Sequence, residues 1–207
     1  PEAEGKFPII SIIHGNHSMQ EFSDDGYNYL GEFFAEHGYI FNSLDQNFLN
    51  GSWTGDFRGK EMSTRAWHFL ENIKYLKMLD SDSTSKLFNK IDFENVIIVG
   101  HSRGGEAVNI AAKFNTLKHF PENGNIKFNY NFGIKGIVTL APTDYRYLRN
   151  YNLKNINYLN QKYNIKSFLI PATIPKMYSH PSYLNISHVS LAIPKNNKGP
   201  NITKGDS

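Results

Sequence analysis

The stretch Gly100-His101-Ser102-Arg103-Gly104-Gly105 holds a serine at the spacing G-x-S-x-G, directly after the apolar run Asn95–Val99 and before a helical pattern over 103–114. At a strand-to-helix turn this spacing strains the central serine's backbone and lifts its hydroxyl clear of the sheet, as acyl transfer requires of a nucleophile. Gly100 and Gly104 supply the clearance for the helix to pass close to the strand. The first helical turn directs unpaired N–H groups and the positive end of its dipole at the same space. Ser102 is the expected nucleophile; the alternative is an ordinary glycine-rich turn.

A tetrahedral oxyanion needs two donors. Arg103 N–H, next after the serine, is the first. The second is expected from His14-Gly15-Asn16-His17, with Asn16 N–H preferred to His17 N–H. His14 reads as a histidine that bonds this loop, and His101 as a packing residue whose side chain diverges from Ser102. Asp144 is a candidate acid, and His180 and His188 are candidate bases. The competing reading of Asp144, a turn or cap residue after Pro142, and that of the two histidines, surface or packing residues, outweigh the catalytic one. Trp53 and Phe57, in the loop 46–59, are candidates for a substrate-facing wall or for packing on the next helix.

The elements that must position these groups follow from periodicity. Residues 8–14, 39–44, 95–99 and 134–140 are short apolar runs, expected as buried strands. Between them, residues 27–37 have helical spacing and stop at Gly38, and Met62–Leu79 repeats apolar residues on one face with Arg65, Glu71, Lys74 and Lys77 on its polar face. Arg103–Phe114 is a third helix. Residues 121–131 read as a Gly/Asn loop, and further strands are expected near 156–159 and 167–170. Strands that are apolar throughout and alternate with helices predict a doubly wound, mostly parallel α/β domain.

Together the HG after the first strand, the stretch GYNYLGEFFAEHGYIFNSLDQNFLNG, IDFENVIIVGHSRGGEAV and LAPTD resemble the α/β-hydrolase superfamily, in the branch of dienelactone hydrolases, chlorophyllases and poly(ethylene terephthalate) hydrolases. The resemblance spans about residues 8–159. It implies Ser102 as nucleophile, an oxyanion hole from Asn16 and Arg103, and ester or related acyl substrates. Members of that superfamily continue with an Asp-bearing strand and a last strand followed by the catalytic His. Here residues 155–159 resemble the start of the Asp-bearing strand, yet NQKYNIKSFLIP follows, without the Asp.

Charge marks the same boundary. Of the 207 residues, 1–120 hold 11 Lys/Arg against 16 Asp/Glu, net −5, whereas 121–207 hold 11 against 3, net +8, and no carboxylate lies between Asp144 and Asp206. Residues 1–150 are therefore read as the core with the nucleophile turn, and 151–207 as a basic segment of the same domain or a divergent tail. A change of reading frame near residue 160 would explain the missing strand, and translating the other two frames of the gene tests it. The expected function is a serine esterase, with a catalytically incomplete hydrolase-like domain or binding module as the alternative.

Other classes find little support. Apolar runs are too short to cross a bilayer, and the scattered lysines of the basic segment do not form a phosphate-tracking surface for nucleic acid. Zero cysteines exclude disulfides and leave the compartment open. Asp80-Ser81-Asp82 lacks the Gly and the final acid of a calcium loop, and His14 with His17 falls short of a zinc set. No metal or cofactor is expected.

Overall fold

The apolar run at the amino end becomes β1 (Phe7–Ile13), its last five residues buried. A computed structural model describes residues 4–50, 61–143 and 166–170. After β1 come α1 (Asn28–Glu36), β2 (Ile40–Leu44), α2 (Met62–Ser81), β3 (Ile91–His101) and α3 (Arg103–Phe114). A short hairpin, β4 (His119–Phe120) with β5 (Asn123–Lys127), precedes β6 (Ile134–Leu140) and β7 (Lys166–Ile170). Five strands form one sheet in the order β2-β1-β3-β6-β7, and each neighbouring pair is parallel. The strand 166–170 thus lies at one edge of the same sheet as the strands before residue 150.

Helices lie on both faces. Ile9, Ile13, Val96, Ile98 and Ile137 point to one side, where they share a core with Phe69, Leu70 and Ile73 of α2 and with Ala107, Ile110 and Phe114 of α3. Ile10 and Ile12 point the other way by alternation, and Phe41, which pairs with Ile10, stacks on Phe34 of α1 at 5.9 Å. The molecule is an α/β fold with a parallel sheet between helices. Each fully buried Leu, Ile or Phe of this core contributes roughly 1.5–3 kcal/mol. Among the described residues no helix is long and apolar enough to cross a membrane.

Several boundaries differ from expectation for local reasons. β3 starts four residues before Asn95, because its polar beginning pairs with β1 before a register break between Asp92 and Val96. Asp92 stabilises that break: its carboxylate accepts Glu94 N–H at 3.0 Å and the Asn95 amide at 2.7 Å. The expected loop 121–131 contains strand β5, and beyond it Phe128, Tyr130 and Phe132 turn inward while Asn129 and Asn131 face solvent. Phe128 packs on Phe114 at 5.5 Å and Phe120 on Trp67 at 5.3 Å, closing the outer edge of the α2–α3 layer.

Arg65 is the main correction. It was expected on the polar face of α2, yet it is fully buried. The partners that make this tolerable belong to the site.

Candidate active site

Ser102 follows the last residue of β3 and caps α3 with φ 53° and ψ −118°. This is a backbone conformation that L residues rarely adopt, and it costs on the order of 1–3 kcal/mol unless the surroundings enforce it. They do so on three sides. Ser102 N–H donates to the Leu140 carbonyl at 2.8 Å, and the Ser102 carbonyl accepts Glu106 N–H at 3.3 Å and Thr143 N–H at 3.1 Å. The residue is thereby clamped between the end of β6 and the first turn of α3.

Gly100 and Gly104 make the turn sterically feasible. A Cβ on Gly100 would run into the Gly104 carbonyl, and one on Gly104 would come within 2.5 Å of the Ile13 and His14 carbonyls. The start of α3 therefore presses against the end of β1. That contact brings the loop 14–17 to the serine.

Within this loop His14 is buried and uses both ring nitrogens. Nε2 accepts Gln46 N–H at 2.8 Å, which leaves the proton on Nδ1 to donate to the Gly15 carbonyl at 2.7 Å. Burial, the largest influence, lowers the pKa of His14; the Gly15 carbonyl opposes this, the charges of Arg65 and His17 add to it, and Asp45 opposes it. The ring is neutral and committed to the loop. Exposed His17 lies between His14 and His101, its ring centroid 6.3 and 6.4 Å from theirs. Burial, followed by the charges of His17 and His14, lowers the pKa of half-buried His101.

Asn16 is buried, and its side-chain carbonyl accepts a hydrogen bond from Arg103 Nη1 at 3.1 Å. The same Nη1 lies 2.6 Å from Glu61 Oε1. Glu61 immediately precedes α2, where the positive end of the helix dipole favours a carboxylate. One turn on, Arg65 Nε is 3.8 Å from the same oxygen, and Arg65 Nη2 donates to the Leu49 carbonyl at 3.1 Å and to Asn50 Oδ1 at 2.7 Å. Burial first, and Arg103 after it, pull the Arg65 pKa down to about 10 while Glu61 raises it. Two buried guanidinium groups, one of them on the residue next to the serine, thus share one buried carboxylate.

Of the residues singled out from sequence, Ser102, Arg103, Asn16, Gly100 and Gly104 come together here. Trp53, Phe57, Asp144, His180 and His188 lie outside the described residues. Among the described residues no hydrogen bond joins Ser102 Oγ to an imidazole. Sequence reading passed over Glu61, Gln46 and Glu106. Glu106 is buried in the first turn of α3, and its carboxylate accepts the Thr143 hydroxyl at 2.9 Å, anchoring the chain just before Asp144. The Glu61/Arg65 pair at i,i+4 was the one local signal available.

A shallow groove lined by Lys74, Lys77, Met78, Ser81 and Asp82 runs along the carboxyl half of α2. It is remote from Glu61 and Arg65 at the opposite end of that helix, and its residues offer no acyl-transfer chemistry. No protein-family model matches the chain, and no curated protein matches it.

Proposed function

We propose that this chain is a serine hydrolase of the α/β-hydrolase type that cleaves carboxylic esters through an acyl-enzyme on Ser102. The carrying observation is the backbone of Ser102: a non-glycine residue at φ 53° between a parallel strand and a helix, packed so tightly that glycine is required on both flanks. Strain of this kind is kept where a side chain must be presented. The strand order β2-β1-β3-β6-β7, with the serine after the central strand, supports the fold assignment.

In this reading Ser102 Oγ attacks the ester carbonyl carbon, and the N–H groups of Arg103 and Asn16 hold the oxyanion. Collapse of the tetrahedral intermediate breaks the bond to the alkoxy group, which leaves with the proton that a base took from Ser102. Water then releases the acid by the same steps. His180 or His188 supplies the base, oriented by Asp144. The buried cluster of Arg65, Arg103 and Glu61, with formal charge +1, adds a favourable potential for the oxyanion.

The carboxylate-free interval from 145 to 205 favours a second reading, a hydrolase-like domain that lacks its acid and serves as a binding module. A fluorophosphonate probe separates the two. Stoichiometric labelling that maps to Ser102 and disappears in Ser102→Ala supports the hydrolase; a folded chain that takes no label sinks it.

A further inference from the structure

We propose that Glu61 is a positioning residue, which fixes the Asn16 loop against Ser102 through the guanidinium of Arg103; as a contribution to catalysis the role rests on the hydrolase reading above. Arg103 Nη1 touches Glu61 Oε1 at 2.6 Å and Asn16 Oδ1 at 3.1 Å, so one nitrogen joins α2, α3 and the loop after β1. These contacts bridge 42 and 87 positions of chain and cannot arise from local turn preference. All the carboxylate and guanidinium groups involved are buried. In such surroundings a charge-assisted hydrogen bond is short and directional, and a guanidinium without its counter-charge turns toward whatever water or oxygen it can reach.

The loop is tied at its other end to the same place. His14 accepts from Gln46 N–H, and Gln46 Nε2 donates to the Arg65 carbonyl at 2.9 Å. Arg65 N–H in turn bonds the Glu61 carbonyl at 2.8 Å. Both ends of the segment 14–16 thus hang from the first turn of α2: His14 through Gln46, Asn16 through Arg103 and Glu61. Between them sits Gly15, pressed against Ser102. With the Glu61 charge removed, the His14 end keeps its anchor while the Asn16 end loses the group that aims Arg103.

The test compares wild type, Glu61→Gln, Asn16→Ala and the double variant. Amide order parameters from ¹⁵N relaxation read the loop directly. In Glu61→Gln the values at Asn16 and His17 fall from the rigid range near 0.85 to below about 0.6, while that of Ile98 in β3 is unchanged. A role confined to stability lowers the melting temperature and leaves the folded loop as rigid as in wild type, which overturns the proposal. Glu61→Asp keeps the buried charge but withdraws it by one methylene, and must loosen the same amides. It carries the test if Glu61→Gln does not fold.

On an ester substrate, kcat falls about ten- to a hundredfold in Glu61→Gln with KM little changed, and Asn16→Ala does the same. The double variant is no slower than the slower single one, because both act through the Arg103 guanidinium; multiplicative losses overturn the proposal. A wild-type chain that neither hydrolyses esters nor takes a fluorophosphonate at Ser102 refutes the hydrolase reading instead, and the order parameters still decide whether Glu61 holds the loop.

Discussion

Gly15 backs directly onto Ser102: a Cβ built on the first stands 2.9 Å from the Cβ of the second and 3.0 Å from His101 Nδ1. The Ser102 Cβ cannot yield, since its backbone is clamped to Leu140, Glu106 and Thr143. Gly15→Ala therefore pushes the loop 14–17 away from the serine. Overpacking of this kind costs roughly 1–3 kcal/mol. We expect a fall in stability of that order with at least a tenfold loss in Ser102 labelling rate. Labelling at the wild-type rate in the folded variant would mean that the loop is not part of the site.

Ser102 itself stores strain that a glycine releases. Ser102→Ala and Ser102→Gly both lack the hydroxyl, so neither takes a fluorophosphonate. They differ in backbone freedom, because φ 53° with ψ −118° is unfavourable for alanine and easy for glycine. Ser102→Gly should be the more stable of the two by about 1 kcal/mol or more in urea unfolding. Equal stabilities, or the reverse order, would remove strain as the signature of this turn.

Protonation opposes the folded state through one buried and two half-buried histidines. His14, His68 and His101 all have pKa values lowered from 6.5, with burial the foremost cause. Well above 6.5 these rings are neutral whether the chain is folded or not, and they add no slope. Below it the unfolded rings bind protons that the native ones refuse, so the unfolded state holds more protons and stability falls with falling pH. The urea midpoint should decline between about pH 7 and about pH 5, and His101→Gln should flatten part of that decline. A midpoint that holds level or rises over this window would contradict the environments described for these rings.

Legibility from sequence followed locality. Arg103–Phe114 and Ile134–Leu140 have the observed bounds, because a strong period ends at a sharp turn in both. The turn at Ser102 was readable because its spacing is local: Gly100 is required by Gly104 four positions on, although Gly104 is itself required by the distant Ile13 and His14 carbonyls. Phe128, Tyr130 and Phe132 do alternate, but the two intervening asparagines, Asn129 and Asn131, and glycines nearby masked an inward-facing segment as a loop. The charged cluster was the least legible part. Arg65 and Glu61 sit in a pattern that ordinarily marks a solvated face, and their burial is made tolerable by partners far away in the chain: Arg103 for Glu61, and the Leu49 carbonyl and Asn50 for Arg65.

Asp80 separates stability from chemistry. Sequence placed it at the head of a rejected calcium loop; in the fold it is buried at the end of α2, where Oδ1 accepts Lys90 N–H at 2.7 Å and Ile91 N–H at 2.8 Å. Its other oxygen is 3.8 Å from Lys6 Nζ. The carboxylate thus starts β3 at the end opposite Ser102, about 30 Å away along the strand. Asp80→Ala strips the charged acceptor from these amides and should cost about 1–3 kcal/mol. Because the elbow is held by Gly100, Gly104 and Leu140 rather than by the start of β3, the folded variant should label at Ser102 within about twofold of wild type. Added calcium should leave the urea midpoint of the wild-type chain unchanged, since Asp80 Oδ1 already accepts two N–H groups. Loss of labelling without loss of stability would show that the far end of β3 controls the turn, and would refute this division of roles.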